Sequence, residues 1–140
     1  MTTYLSFSGD CEAAFKFYEE CLDGKLGQIF RYAGTPMADQ VPADWQNKVM
    51  HTSLTIGEQV FMGGDVAPDR YEKPKGFSLS LQMNSPRRAE HIFHLLAKDG
   101  TVMMPLEKTF WAERFGVLVD RFGIPWLINC EKSDQPAEVG

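Results

Sequence analysis

The sequence predicts an α+β fold made of two βαβββ modules, and three observations carry that prediction. Two amphipathic helical segments each follow a short strand, and each stops at an Asp-Gly pair, Asp23-Gly24 and Asp99-Gly100. Their apolar faces superpose at a constant offset, with Ala14 on Ala89, Tyr18 on Phe93 and Cys21 on Leu96. Each helix is followed by strand-like segments that end in a hairpin. A four-stranded half with one covering helix leaves its other sheet face bare. Two such faces can curve into a cupped mixed sheet around a shared cleft.

The elements follow in order. Thr2 to Phe7 reads as a strand, and Ser8-Gly9-Asp10 offers an N-cap. Cys11, Ala14, Phe15, Tyr18, Cys21 and Leu22 recur at helical spacing, and Asp23-Gly24 supplies the stop. Leu26 to Ala33 predicts a second strand. The stretch from Gly34 to about Asn47 is a long loop carrying Pro36, Pro42 and Trp45. Val49 to Ile56 and Gln59 to Met62 predict a hairpin across Gly57-Glu58, with glycine where a type II′ turn needs positive φ. Gly63 to Lys75, charged and twice interrupted by proline, reads as a linker.

The pattern then begins again. Phe77, Leu79, Leu81 and Met83 alternate with polar residues. Ser85-Pro86 caps a helix whose buried face is Ala89, Ile92, Phe93 and Leu96. A short strand near Thr101 to Met104 precedes an aromatic loop. Phe115 to Val119 and Pro125 to Glu131 form a hairpin around Asp120-Arg121-Phe122-Gly123, a type I turn with left-handed glycine. The modules span residues 2–65 and 76–131 of a single 140-residue domain, with a linker at 66–75 and a tail at 132–140.

Charge and composition exclude several function classes. Nineteen acidic against 14 basic side chains give a net charge of −5, which argues against nucleic-acid or anionic-lipid partners. No run approaches the length of a membrane span. Met1 to Asp10 lacks the basic and apolar regions of a secretory signal. Cys11, Cys21 and Cys130 form no C-x-x-C pair and read as reduced, buried thiols of a cytoplasmic protein.

The candidate ligand-binding residues are His51, Ser53, Trp111, Glu113, Asn129 and Trp45. Alternation along Val49 to Ile56 turns Met50, Thr52, Leu54 and Ile56 toward the helix, and His51 and Ser53 toward the concave side. His51 titrates in the range suited to proton transfer, or it serves as a structural residue. Asn129, opposite in alternation to Trp126 and Ile128, offers an amide either to a ligand or to a neighbouring loop. Phe110 and Trp111 either close the cleft over a planar ligand or pack a module junction or dimer contact. Asp65 and Glu113 read as solvated carboxylates, with cation binding or base chemistry as the other reading. His91 and His94 share a helix side but lie away from its buried face, so a solvated pair is expected, with Glu90 able to meet His94. No nucleophile–base arrangement and no phosphate loop is present.

The chain resembles the PhnB-like branch of the vicinal oxygen chelate superfamily, the group of glyoxalase I, extradiol dioxygenases and bleomycin-resistance proteins. Tyr4-Leu5-Ser6-Phe7, Gly9-Asp10-Cys11, Ala14 and Phe17-Tyr18 carry the first part of the likeness. Thr109-Phe110-Trp111-Ala112, Phe115-Gly116, Asp120, Phe122-Gly123, Pro125-Trp126 and Asn129 carry the second, over residues 2–131 in all. The resemblance implies the glyoxalase/bleomycin resistance/dioxygenase fold. It also implies a divalent-ion site near the first and last strands of each module.

Here those positions fall at about Thr3, Phe61 to Gly63, Phe77 and Leu127, which are poor donors, so no metal and no cofactor is expected. An older family label, demethylubiquinone methyltransferase, finds no glycine-rich strand-to-helix turn for an adenosyl cofactor. The expected function is binding of a small organic molecule in an inter-module cleft, whether or not a reaction follows. A glyoxalase-type divalent-metal lyase, isomerase or dioxygenase with displaced ligands is the alternative, and an antibiotic-sequestering protein a further one. An isologous homodimer is the expected assembly.

Overall fold

The computed structural model describes residues 1–132; the last eight residues, and with them most of the tail at 132–140, lie outside the described residues. The chain divides into two compact units, Met1–Glu72 and Lys73–Gly140.

The first unit contains strand β1 (Thr3–Phe7), helix α1 (Cys11–Leu22), β2 (Lys25–Leu26), β3 (Phe30–Arg31), β4 (Val49–Ile56) and β5 (Gln59–Asp65). The sheet order is β1-β5-β4-β2, with β3 also pairing β4; β1 runs parallel to β5 and the other pairs are antiparallel. The second unit contains β6 (Leu79–Met83), helix α2 (Pro86–Ala97), β7 (Thr101–Glu107), β8 (Arg114–Val119) and β9 (Pro125–Cys130). Its order is β6-β9-β8-β7, again with the first strand parallel to the last. The duplicated topology expected from the helix register is therefore present.

Helix packing follows the periodicity closely. The buried residues of α1 are Cys11, Ala14, Phe15, Tyr18, Cys21 and Leu22, and those of α2 are Ala89, Ile92, Phe93 and Leu96. Burying such large apolar side chains stabilises the unit by about 1.5–3 kcal/mol each. Ser85 caps α2 through its hydroxyl, which accepts from the Arg88 N–H at 3.3 Å.

Capping of α1 differs from expectation. The Asp10 side chain makes no capping bond. The carboxylate of Asp65, at the end of β5, instead accepts from the backbone N–H groups of Gly9 and Cys11, each at 2.9 Å, and of Val49 at 3.0 Å. Asp65 is thus a buried carboxylate, 1% exposed, and not the solvated one the sequence suggested. Asp120 plays the corresponding part in the second unit. It accepts from the N–H groups of Phe122 (2.8 Å) and Ile124 (3.1 Å) and from the Trp126 indole (2.8 Å).

Both Asp-Gly stops also work differently from a glycine cap. The left-handed residues are Asp23 (φ 55°) and Asp99 (φ 60°). The glycines that follow pass close to strand backbone. A Cβ on Gly24 would lie 3.0 Å from the Thr55 carbonyl oxygen, and one on Gly100 would collide with the Val119 carbonyl. Glycine is needed there for close approach.

Several strand boundaries are corrected. The expected second strand, 26–33, is broken into β2 and β3: the Gly27 N–H still meets the Ser53 carbonyl of β4, but the Gln28 carbonyl accepts from the Thr52 hydroxyl at 3.0 Å and the register against β4 shifts between Phe30 and Arg31. Residues 63–65 belong to β5 and not to a linker. A side chain on Gly63 would strike the Phe15 ring at 2.8 Å, so its glycine reflects contact with α1. Strand β6 starts at Leu79 rather than Phe77, β7 continues to Glu107, and β9 ends at Cys130. The two predicted turns are found, with Gly57 at φ 59° and Gly123 at φ 90°.

Candidate functional site

In each unit the sheet face turned away from the helix carries the candidate residues. On β1, Leu5 and Phe7 are buried and the Phe7 ring meets the Phe15 ring of α1 edge-on at 6.1 Å, so Tyr4 and Ser6 face the other way. On β4, Thr52 and Leu54 are buried, which places His51 and Ser53 on the same uncovered face as Tyr4. The His51 ring stacks on Tyr4 at 5.8 Å and lies 6.4 Å from Phe30, its cross-strand partner.

The Tyr4 hydroxyl donates to the Met50 carbonyl at 3.4 Å, over Gly64, whose missing side chain leaves room for the ring. Burial pushes the Tyr4 hydroxyl above its ordinary pKa, with smaller contributions from Cys11, Tyr32 and Asp65. Ser53 is packed against Gly27 at the edge of this face. Trp45 does not join them. It ends a 3₁₀ turn, Ala43–Trp45, and its ring lies against Gly9 at the start of α1, where Lys48 donates to the Gly9 carbonyl at 3.1 Å.

In the second unit, Trp126, Ile128 and Cys130 are buried under α2, leaving Leu127 and Asn129 on the uncovered face with Phe115 and Gln82, their ladder neighbours. Asn129 Nδ2 donates to Gln82 Oε1 at 2.8 Å, and Gln82 Nε2 donates to Ser80 Oγ at 2.8 Å. This chain of bonds fixes which way the Asn129 amide points. Its Oδ1 is buried and has no hydrogen-bond partner among the described residues.

Beside it, the Trp111 ring packs edge-on against Phe115 at 5.2 Å, and Phe110 packs against Trp111 at 4.8 Å. The loop is shaped by Thr109, whose Oγ1 accepts from the N–H groups of Trp111 (3.3 Å) and Ala112 (3.0 Å). Phe110 is 87% exposed and Trp111 45%, so the pair is presented outward. A shallow hollow of about 260 Å³ opens beside Gln82, lined also by Met83, Asn84 and Glu131.

Glu113 is engaged elsewhere. Its carboxylate lies 3.7 Å from Arg114, whose Nε meets Glu90 at 3.1 Å. Glu90 therefore pairs with Arg114, while His91 and His94 are exposed on α2. Tyr4, Gln82 and Phe115 neighbour His51 and Asn129 on these faces and were not among the candidates read from the sequence. Strand alternation against Leu5/Phe7, Leu79/Leu81 and Leu118 was the signal that could have found them.

The positions where the superfamily's enzymes hold a divalent ion carry Thr3 opposite Phe61, and Leu127 opposite Ser80, with Phe77 ahead of β6. Among the described residues no three His, Cys, Asp or Glu side chains gather in a way that could hold an ion. This donor set does not fit such a metal.

Residues 1–129 match the model of the family described as 3-demethylubiquinone-9 3-methyltransferase. The chain belongs to that family. Within it the likeness is to the PhnB-like proteins. A putative 3-demethylubiquinone-9 3-methyltransferase, PhnB protein, from Bacillus cereus is 28% identical, with 93% of this chain and 98% of that one covered and a TM-score of 0.80. Protein PA1353 from Pseudomonas aeruginosa is 42% identical over 94% and 96% of the two chains, with a TM-score of 0.85.

A glyoxalase/bleomycin resistance protein/dioxygenase family enzyme from Burkholderia phytofirmans PsJN shares the fold at 14% identity, over 93% and 98% of the chains, with a TM-score of 0.63. This PhnB-like chain thus has the glyoxalase/bleomycin resistance/dioxygenase fold. The methyl-transfer label does not fit the strand-to-helix turn of the first unit. There the N–H groups of Gly9 and Cys11 are held by the chain's own Asp65 carboxylate, and the turn is not glycine-rich. No helix is long and apolar enough to cross a membrane among the described residues.

Proposed function

We propose that this PhnB-like protein binds a small organic molecule, independently of the superfamily's usual metal, on the uncovered face of the β6-β9-β8-β7 sheet. The observation that carries the reading is the Asn129 carboxamide. Its nitrogen is committed to Gln82, while its oxygen is buried without a donor. Leaving such an acceptor unmade costs about 1–3 kcal/mol, a cost that a ligand donor would recover. Phe115 and Trp111 add aromatic area suited to a planar apolar body. Access to Oδ1 requires a neighbouring side chain to move, and Trp111, 45% exposed, packs on Phe115, the cross-strand partner of Asn129.

The His51–Tyr4 stack is a second aromatic binding surface in the first unit. Three buried cysteines outside any disulfide fit a reducing cytoplasm. The exposed Val102, Met103 and Met104 on edge strand β7 fit burial in a homodimer, which sedimentation velocity checks.

Indole and benzofuran test the site, because they share a shape and only indole carries an N–H. Amide NMR titration is expected to shift Asn129, Phe115 and Trp111 with indole. Benzofuran should bind about tenfold more weakly, and Asn129→Ala should erase the difference. Equal binding of the two, or shifts confined to other surfaces, would overturn the reading.

A further inference from the structure

A separate hollow in the first unit, of about 180 Å³, lies between the long loop after β3 and the segment leaving β5. Met37 and Val41 form its loop side, and Val66 and Ala67 its opposite side. Three polar residues reach it: Tyr32, Gln40 and Arg70.

The loop wall is held in place. Thr35 Oγ1 donates to the Tyr32 carbonyl at 2.7 Å and accepts from the Met37 N–H at 3.2 Å. The Ala38 N–H donates to the Thr35 carbonyl at 3.1 Å, and the Gln46 side chain donates to the Ala38 carbonyl at 2.9 Å. On the other side, the Arg70 N–H closes a turn onto the Ala67 carbonyl at 2.8 Å. Residues 66–70 are thereby wound so that the Arg70 side chain returns to the hollow.

The polar groups are not equivalent. The proton of the Tyr32 hydroxyl is committed to the Asp65 carbonyl, so Tyr32 offers a visitor only an acceptor. The available donors are the Gln40 amide and the Arg70 guanidinium. Arg31, Arg114 and Arg121 each meet a carboxylate. The Arg70 guanidinium makes no ion pair with any described residue, and it borders an apolar-walled hollow rather than an open helix face. Its charge reaches the buried phenol: burial and Asp65 raise the Tyr32 pKa, and Arg70 opposes them.

We infer that this hollow is a binding site for a small organic carboxylate, with its head group on Arg70 and Gln40 and its apolar body against Met37, Val41 and Val66. A planar guanidinium fork matches a carboxylate. One guanidinium balances one negative charge, and a dianion would leave charge uncompensated on a protein whose net charge is already −5. The apolar walls favour an organic anion over an inorganic one. The long loop, unexplained by the Asn129 face, acquires a role as one wall of the site.

Sodium benzoate and neutral benzamide test the inference by calorimetry and amide NMR on the full chain. Benzoate is expected to bind saturably and to shift Met37, Val41 and Val66. Benzamide should bind about tenfold more weakly, and Arg70→Gln should weaken benzoate by about tenfold with the fold intact. Added salt should weaken benzoate on the parent and leave Arg70→Gln little changed. Val41→Trp, which fills the hollow, should abolish the shifts while Asn129→Ala leaves them. Absence of saturable benzoate binding, or equal affinity for the parent and Arg70→Gln, would overturn the assignment.

Discussion

The Asp65 carboxylate accepts the Cys11 backbone N–H at 2.9 Å, joining the end of β5 to the first turn of α1 across 54 residues. With Gly9 and Val49 on the same carboxylate, one side chain satisfies backbone donors from three segments of the first unit. Asp65→Ala leaves three N–H groups without this acceptor, those of Cys11 and Val49 buried and that of Gly9 part-buried. It is expected to lower stability by about 3 kcal/mol or more. Urea unfolding measures this; a loss under about 1 kcal/mol would show that water or local rearrangement replaces the carboxylate.

Glu12 gives a pH-dependent contribution of known sign. Hydrogen bonds from Arg31 and then Lys16 hold its carboxyl well below the ordinary 4.5, at about 2. The folded value is depressed, so its contribution is complete above about pH 4.5 and fades as pH falls toward 2. The side chain is one-third exposed, and solvent screening limits the effect to about 1 kcal/mol or less. The stability difference between the parent and Glu12→Gln should therefore be constant near neutrality and shrink in acid. A difference that grows in acid contradicts the pairing with Arg31.

Asn129 predicts a gain. Asn129→Leu removes the unpartnered Oδ1 and leaves the exposed Gln82 amide to water. The variant should be more stable by about 1 kcal/mol, a rise of a few degrees in melting temperature, while losing indole binding. Lower stability would mean that the Asn129–Gln82 bond outweighs the orphaned oxygen.

The cysteines should be unreactive in the folded protein. Burial pushes the Cys11 thiol far up, with Asp65 and Glu12 adding to it, and burial also raises Cys130. All three cysteines are buried and outside any disulfide. At about pH 8, a disulfide reagent should modify them only slowly, and unfolding in guanidinium should release all three at once. Rapid labelling of Cys11 would contradict its burial.

Local chemistry was readable in the sequence wherever a side chain's neighbours lie within a turn or two along the chain. The helix faces, the Ser85 cap and the turns at Gly57 and Gly123 all belong to that class. Asp65 escaped because its partners are backbone N–H groups 16 to 56 residues away, which leave no residue-type signature. The broken second strand escaped for a related reason, since the Thr52–Gln28 bond and the register shift against β4 belong to tertiary pairing.

The face of His51 was legible from alternation, and the same rule applied to β1 and β6 yields Tyr4 and Gln82. The orphaned oxygen of Asn129 was not legible. It depends on the direction of an amide, which Gln82 sets from a different strand.

The two Asp-Gly helix stops have a chemical consequence for the ageing of the molecule. In a flexible chain, the glycine nitrogen after an aspartate attacks the side-chain carboxyl and closes a succinimide, which reopens largely as isoaspartate. Here the Gly24 N–H is bonded to the Glu19 carbonyl at 3.0 Å and the Gly100 N–H to the Ala97 carbonyl at 2.8 Å, so both nitrogens are withheld while the helix ends stay wound. Isoaspartate at residues 23 and 99 would therefore accumulate in proportion to the time each helix end spends open, recording local unfolding as a permanent mark on the backbone.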